Sequence, residues 1–319
     1  MQSEASAGTA PGFDVLGFGA VAVDDLLYVD EYPPADSKVC VRQRRRECGG
    51  LTGTALVAAA RLGARCAYVG MLGPDELSRF VADRFGREQI DLSHCVWRDD
   101  ARPVHSTIVV DRNRGTRNVF ASFEGAIGAN AAQPPAELIG AAEALLVDHH
   151  GQQGTIRAVR IARAARVGVV ADLERNPGGE FYDLLTLIDH LIVSASFARQ
   201  LTGKESPDEA VSALWHRDRQ AVVVTGGAQG CWYCGPDAAG DCRHFPAFAV
   251  KAVDTTGCGD VFHGAYAAAL AWGWPLERRI TFASATAALK TTQHGGQSGC
   301  PGRQEVEHFL RTGGEWQAS

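Results

Sequence analysis

The chain has 319 residues, a formal net charge of −6 and an apolar fraction of 45%. These values describe a globular chain, and the acidic balance offers no electrostatic footprint for nucleic acid or an anionic membrane surface. No uninterrupted apolar run reaches spanning length, and no apolar leader precedes Asp14. The expected location is therefore the cytoplasm, with thiols mostly reduced.

Residues 1–12 are small and polar and are expected to form a disordered tail. The stretch from Phe13 to Val23 reads as a buried strand that ends near Asp24 and Asp25. Leu26 to Val29 continues apolar until Tyr32-Pro33-Pro34 breaks it. Lys38 to Arg44 alternates loosely, as an exposed strand does. The run Arg42, Arg44, Arg45, Arg46 reads as a solvated edge. Cys48-Gly49-Gly50 is a turn, and Leu51 to Leu62 is an Ala-rich helix ended by Gly63. A strand follows from Arg65 to Gly70. Glu76 to Gln89 is an amphipathic helix with Leu77, Phe80, Val81 and Phe85 on one face.

Residues 104–122 form a hairpin pattern around the polar turn Asp111 to Gly115. Beyond Asn130 the chain alternates. Strands are expected at 144–148, 167–172, 191–193 and 221–225, and helices at 155–165, 180–188, 195–201 and 208–215. This alternation predicts an α/β fold with a mostly parallel sheet and helices on both faces. Ligands in such sheets sit beyond the carboxyl ends of the strands. Asp24, His150, Asp172, Ser194 and Gly226 all directly follow predicted strands. A single domain over 13–312 is expected, with a tail at 313–319. The β-rich pieces near 26–48 and 104–122 would form a small sheet projecting from the body.

Two motifs leave alternatives open. Cys231-Trp232-Tyr233-Cys234 is a CxxC with Cys242 nearby, but no second CxxC or His pair stands at metal-site spacing, and the pair lies in a strand pattern. Thr225-Gly226-Gly227-Ala228-Gln229-Gly230 after a buried strand is either a nucleotide-cradling turn or an ordinary hairpin turn.

The stretch from Val250 to Trp272 carries most of the chemistry. A β-prone piece enters the turn Gly257-Cys258-Gly259, Asp260 follows, and an Ala-rich helix begins. Such a turn aims backbone N–H groups and the helix dipole at an anion. Asp260 is then either a helix cap or a proton acceptor beside a transferring phosphoryl group.

Asp254-Thr255-Thr256-Gly257-Cys258-Gly259-Asp260, followed by Val261 and Phe262, closely resembles the C-terminal signature of the PfkB, or ribokinase-like, carbohydrate kinases. That signature reads Asp-Thr-x-Gly-Ala-Gly-Asp, and Cys258 stands where Ala is usual. The resemblance spans about Asp14 to Leu310. It is supported by Gly49-Gly50 before a helix and by Arg61-Leu62-Gly63-Ala64 ahead of Val69-Gly70. The stretches Tyr32 to Ser37 and Leu191 to Ser194 look most like ketohexokinase and fructokinase-type members.

The resemblance implies a ribokinase-like parallel-sheet sandwich with the small β-sheet as a lid over a sugar. It implies ATP-dependent phosphorylation of a hydroxymethyl group on a pentose, ketohexose or derivative. Asp260 would be the general base, and Gly257, Cys258 and Gly259 the anion hole. Ser194, Thr225, Gly226, Gly227, Gly230, Ser284 and Ala288 would hold the nucleotide, which brings Mg2+. Asp254, Thr256, Gly295 and Gly299 would form a monovalent-cation loop suited to K+. On the sugar side stand Asp24, Gly49, Gly50, Thr54, His150 and, unless it is merely surface charge, Arg117. A homodimer formed through the lid would cover its exposed apolar face.

Two departures qualify the resemblance. Ser194-Ala195-Ser196-Phe197 aligns with the Asn-x-x-Glu of many members, and Leu51-Thr52-Gly53-Thr54 lies where many place asparagines for sugar hydroxyls. A site built for a hydroxyl strongly penalises its loss, which limits any transfer of sugar identity from ribose or fructose kinases. A nucleoside kinase of the same fold and a non-catalytic sugar- or nucleotide-binding paralogue are the competing readings.

Overall fold

The computed structural model describes residues 12–236 and 242–313. Apart from Gly12 and Gly313, the two expected tails lie outside the described residues. Strands numbered in chain order are β1 (Val15–Phe18), β2 (Ala22–Val29), β3 (Gln43–Gly49), β4 (Cys66–Tyr68), β5 (Met71–Leu72), β6 (Val96–Trp97), β7 (Val104–Asp111) and β8 (Thr116–Ser122). They continue with β9 (Ala144–Asp148), β10 (Gly168–Asp172), β11 (His190–Ser194), β12 (Ala221–Thr225), β13 (Cys231–Cys234) and β14 (Arg243–Phe245).

The main sheet has the order β14-β13-β12-β11-β10-β9-β1-β4. From β4 to β12 all neighbours are parallel, while β13 and β14 add antiparallel pairs at one edge. The period-two pleat deals alternate residues to opposite faces. Val15, Leu146, Val170, Ile192 and Val223 join one apolar cluster, and Leu16, Leu145, Val169, Leu191 and Val222 join the other. Both faces are thus covered, which is why the strands read as unbroken apolar runs. The helix Cys258–Ala271 is buried from Val261 to Ala269, and its run of Ala and Gly allows close approach of its neighbours.

The second sheet has the order β3-β2-β7-β8. The hairpin expected at 104–122 forms as β7 and β8. Three local expectations are corrected. Asp24 does not follow the first strand. The chain breaks after β1 and restarts as β2, with Asp24 inside it. The exposed strand expected at Lys38 to Arg44 forms instead at Gln43–Gly49, and it takes in Cys48 and Gly49 from the expected turn. Pairing with Ala22 to Tyr28 decides that register, because the alternation of β3 itself is weak. The lid sheet accordingly reaches slightly past 26–48 at both ends.

Sequence order in the main sheet reverses at β1, which has β4 on one side and β9 on the other. The crevice beyond the carboxyl ends of β1 and β9 is therefore where a ligand is expected. Asp148, fully buried at the end of β9, ties this point together. Its Oδ2 accepts from the Ala20 N–H at 2.6 Å and the Thr52 hydroxyl at 2.9 Å, and its Oδ1 accepts from the His150 N–H at 2.8 Å. One carboxylate thus joins the exit of β1, the start of the helix Leu51–Arg61 and the loop after β9. Asp148→Ala leaves three donors without their acceptor and is expected to cost at least about 3 kcal/mol of stability. Urea unfolding followed by fluorescence measures this.

Candidate active site

Asp172 ends β10 in register with Asp148 of β9, so the two carboxylates stand side by side on one face. Asp260, in the first turn of the helix Cys258–Ala271, faces them, and its carboxyl lies close enough to Asp172 to feel its charge. Glu174, two residues beyond β10, completes the group. One carboxylate oxygen from each of Asp172, Glu174 and Asp260 lies within 4.8 Å of the others. Burial, and then the charge of Asp172, hold Asp260 well above the usual carboxylate range. Asp260 keeps partial solvent contact, but its carboxyl is closed in by protein. Asp172 is also raised, chiefly by burial. Glu174 is pushed up to about 7 by loss of hydration and by Asp172, although much of the residue remains exposed.

His263 stands against the same group. Its Nδ1 lies 2.8 Å from the Gly259 carbonyl and 3.2 Å from Asp172 Oδ2, and its Nε2 lies 3.1 Å from the Ile192 carbonyl. The ring thus links the turn, the acid of β10 and the backbone of β11.

In the turn, Gly257 has φ 71°, which favours glycine. A Cβ there would also come within 3.3 Å of Gly296 and of the Thr54 methyl. The three expected anion donors are not equivalent. The Cys258 N–H donates to the Thr255 carbonyl at 3.2 Å, which leaves Gly257 and Gly259 as the candidates. Burial raises the pKa of the Cys258 thiol.

The residues expected on the sugar side separate into two groups. Asp24 lies opposite Glu47 of β3 and Ser106 of β7. Burial raises its carboxyl, the Ser106 hydroxyl pulls it down and Glu47 pushes it up again. Gly49 is what lets that carboxylate lie close to the strand, since a Cβ there would be 2.6 Å from Asp24 Oδ2. Gly50 is the N-cap of the helix Leu51–Arg61. Thr54, by contrast, is buried with its methyl toward Gly257, beneath the turn. Arg117 does reach in from the lid, because its Nη1 donates to Thr256 Oγ1 at 3.3 Å. His150 stacks on Phe123 with ring centroids 6.0 Å apart. The Arg175 guanidinium lies 4.8 Å from the same Phe123 ring, and its Nε donates to His149 Nε2 at 3.1 Å. Burial pulls the His149 pKa down to about 4.

On the nucleotide side, the turn after β12 closes on itself, the Gly226 N–H donating to the Gly230 carbonyl at 2.7 Å. Gly227 is exposed within this turn, and Thr225 donates to the Val193 carbonyl at 3.4 Å. The Ser194 hydroxyl accepts from the Phe197 N–H at 3.2 Å and so caps the next helix. Ser284 and Ala288 lie one turn apart on the helix Leu276–Thr291, both half-buried, and Ser284 lies near enough to the Cys231 thiol to lower its pKa somewhat against burial.

Asp254, Thr256, Gly295 and Gly299 lie in one hydrogen-bonded group. Asp254 accepts from the Thr256 N–H at 2.9 Å and the Gly295 N–H at 2.8 Å, and the Gly299 N–H donates to the Gly295 carbonyl at 3.3 Å. Lys290, fully buried, donates from Nζ to the Asp254 carbonyl at 2.8 Å. Burial lowers its pKa, and the Asp254 carboxylate opposes that. The CxxC cysteines do not pair with each other. Cys234 is disulfide-bonded to Cys242, the one exception among nine cysteines to the expectation of mostly reduced thiols, and Cys231 is a buried free thiol raised to about 12 by burial.

Glu174, His263, Lys290, His149 and Arg175 are the residues that sequence reasoning did not single out. Glu174 offered a signal, an acid just past the carboxyl end of a parallel strand. Lys290 and His263 offered none, because each sits in an ordinary helical run.

A carboxylate behind a Gly-rich helix start, at the switch point of a parallel sheet, is an arrangement suited to phosphoryl transfer. Residues 14–303 match the sequence model of the pfkB family of carbohydrate kinases, and the chain belongs to that family. Ribokinase of Haemophilus influenzae is 30% identical over 305 residues, covering 92% of this chain and 96% of that protein. Mouse ketohexokinase is 25% identical over 301 residues, covering 86% and 95%. A crystal structure from Agrobacterium tumefaciens superposes with a TM-score of 0.88 at 30% identity, covering 96% of this chain and 100% of that one. Arabidopsis thaliana ribokinase, solved with ribose and ATP, gives a TM-score of 0.81 at 21% identity over 94% of this chain and 99% of its own, a likeness of fold.

The acid cluster sets a pH signature. A carboxyl raised from 4.5 to about 7 contributes stability that is complete below its unfolded pKa and is lost as pH rises through about 7. The thermal midpoint of the ligand-free protein should therefore fall between about pH 4.5 and 7, and Glu174→Gln should flatten that fall. Differential scanning fluorimetry across this range measures both.

Proposed function

We propose that this chain transfers the γ-phosphoryl group of ATP to a hydroxymethyl group of a sugar, with Asp260 as general base. The observation that carries this reading is the position of Asp260. It follows the Gly257 turn directly and faces the acids at the ends of β9 and β10. The acceptor hydroxyl would lose its proton to Asp260 while the helix N-terminus, with the Gly257 and Gly259 N–H groups, stabilises the transferring charge. The exposed turn Gly226 to Gly230 and the helix face of Ser284 and Ala288 would hold the nucleotide. The hard oxygens of Asp172 and Glu174 beside Asp260 suit Mg2+ that arrives with ATP, so Glu174 would stand in for the acid missing at Phe197. When bound, Mg2+ neutralises phosphate charge. Asp24, Gly49, Gly50, Arg117 and His150 would line the sugar side, with Thr54 acting through the turn.

Sugar identity rests on the departures at Leu51 and Thr54, which argue against simple inheritance from ribose or fructose kinases. A nucleoside kinase is the second reading. The Phe123–His150 stack favours it, since an aromatic face suits a base. The reaction would run in the cytoplasm, where ATP is supplied. A homodimer through the lid is part of the proposal. It would cover Val119 and Phe120, which are 53% and 55% exposed on the edge strand β8.

Three measurements test this reading. Coupled ADP release across pentoses, ketohexoses, their acidic derivatives and nucleosides should give turnover with one class. No turnover with any, together with stabilisation by nucleotide, would favour a binding paralogue. Asp260→Asn should lower kcat by about three orders of magnitude with ATP affinity largely kept. Near-normal kcat would remove Asp260 from its role. Asp172→Asn removes the like charge that raises Asp260, so the acidic limb of kcat/KM should move to lower pH. For the dimer, Val119→Glu with Phe120→Glu should convert it to monomer by light scattering.

A further inference from the structure

The cation loop does not fit a potassium ion as it stands, because a side chain already supplies its positive charge. Lys290 is fully buried at the end of the helix Leu276–Thr291, and its Nζ donates to the Asp254 carbonyl at 2.8 Å. Asp254 opens the anion-turn motif, and its carboxylate is committed to the N–H groups of Thr256 and Gly295. The ammonium therefore occupies the inner side of the segment where a bound cation would take carbonyl oxygens. A second monovalent cation there would meet a like charge away from water.

We propose that Lys290 is a built-in cation, so that this chain holds its anion turn without potassium. The inference rests on the sugar-kinase reading for its consequence but not for its geometry. Two features of the loop support it. An ammonium offers three donors to carbonyl oxygens, the same ligand type that a hard monovalent cation takes. The charge is also tethered through the helix, since the Val253 and Asp254 N–H groups both donate to the Thr291 carbonyl at 2.7 and 3.0 Å. The turn and the residue that neutralises it therefore move as one body. Lys290 touches the backbone of the turn and no reacting atom, which makes it a positioning residue. Its charge lies behind the Gly257 turn, where it adds to the helix dipole.

The test compares wild type and Lys290→Met in chloride salts of K+, Na+ and choline at about 100 mM, so that ionic screening is equal. Thermal midpoint is the first readout because it needs no turnover. The wild-type midpoint should agree among the three salts within about 1 °C, whereas Lys290→Met should be lowered and then raised by K+ specifically, by about 3 °C or more. The second readout is kcat on whichever acceptor is turned over. It should change less than about twofold with salt in wild type, and should drop at least about tenfold in Lys290→Met with partial rescue by K+ or ammonium. Specific stabilisation of wild type by K+, or activation of wild type by K+ of more than about fivefold, overturns the proposal. So does a Lys290→Met protein with full activity in choline. If Lys290→Met does not fold, the wild-type comparison decides alone. If no acceptor is turned over, the sugar-kinase reading fails, and the thermal midpoints still decide this one.

Discussion

The crowding of like charge at the carboxyl end of the main sheet is the constraint on which the rest of the structure depends. Asp148 and Asp172 are brought side by side by parallel register, and Asp260 and Glu174 close in from a helix start and a loop. Left alone, such carboxylates repel one another and lose hydration. The fold compensates with polarity aimed inward. Asp148 accepts from three donors, and His263 lies against Asp172. The remaining strain is kept as raised proton affinity on Asp260 and Asp172.

Positive charge enters from behind the turn rather than from the crevice. Lys290 and the dipole of the helix Cys258–Ala271 both act on the Gly257 turn, while Arg117 reaches Thr256 from the lid. The turn is therefore contacted by the body on one side and by the small sheet on the other. The lid strand β8 and the turn are thus joined directly by a side-chain hydrogen bond.

The two ends of the site differ in how well they follow the family. Around Asp254 to Asp260 the motif is intact, and its contacts explain each residue. Cys258 is tolerated because its position works through the backbone, and that N–H is spent within the turn. At the acceptor end, Thr54 is turned under the motif, and the Phe123, His149, His150 and Arg175 group forms the unfamiliar surface.

Much of this was legible in the residues. The alternation beyond Asn130 dictated a parallel sheet, because strands buried on both faces must be continuously apolar and must be joined by helices. The Gly257 turn followed by Asp260 announced an anion site, since the signals are local backbone demands. What is local in sequence can be read from sequence. The lid register could not, because β3 alternates weakly and its pairing with β2 decides which residues form it. Nor could the partners of Asp260. Asp172, Glu174 and Lys290 come from separate segments of the chain, and only the packing of the helix Cys258–Ala271 against the strand ends brings them within reach. The position of Asp260 behind its Gly-rich turn was determined by the sequence, and its raised proton affinity and the nearness of the Lys290 ammonium only by the tertiary structure, because both depend on charges that meet through space.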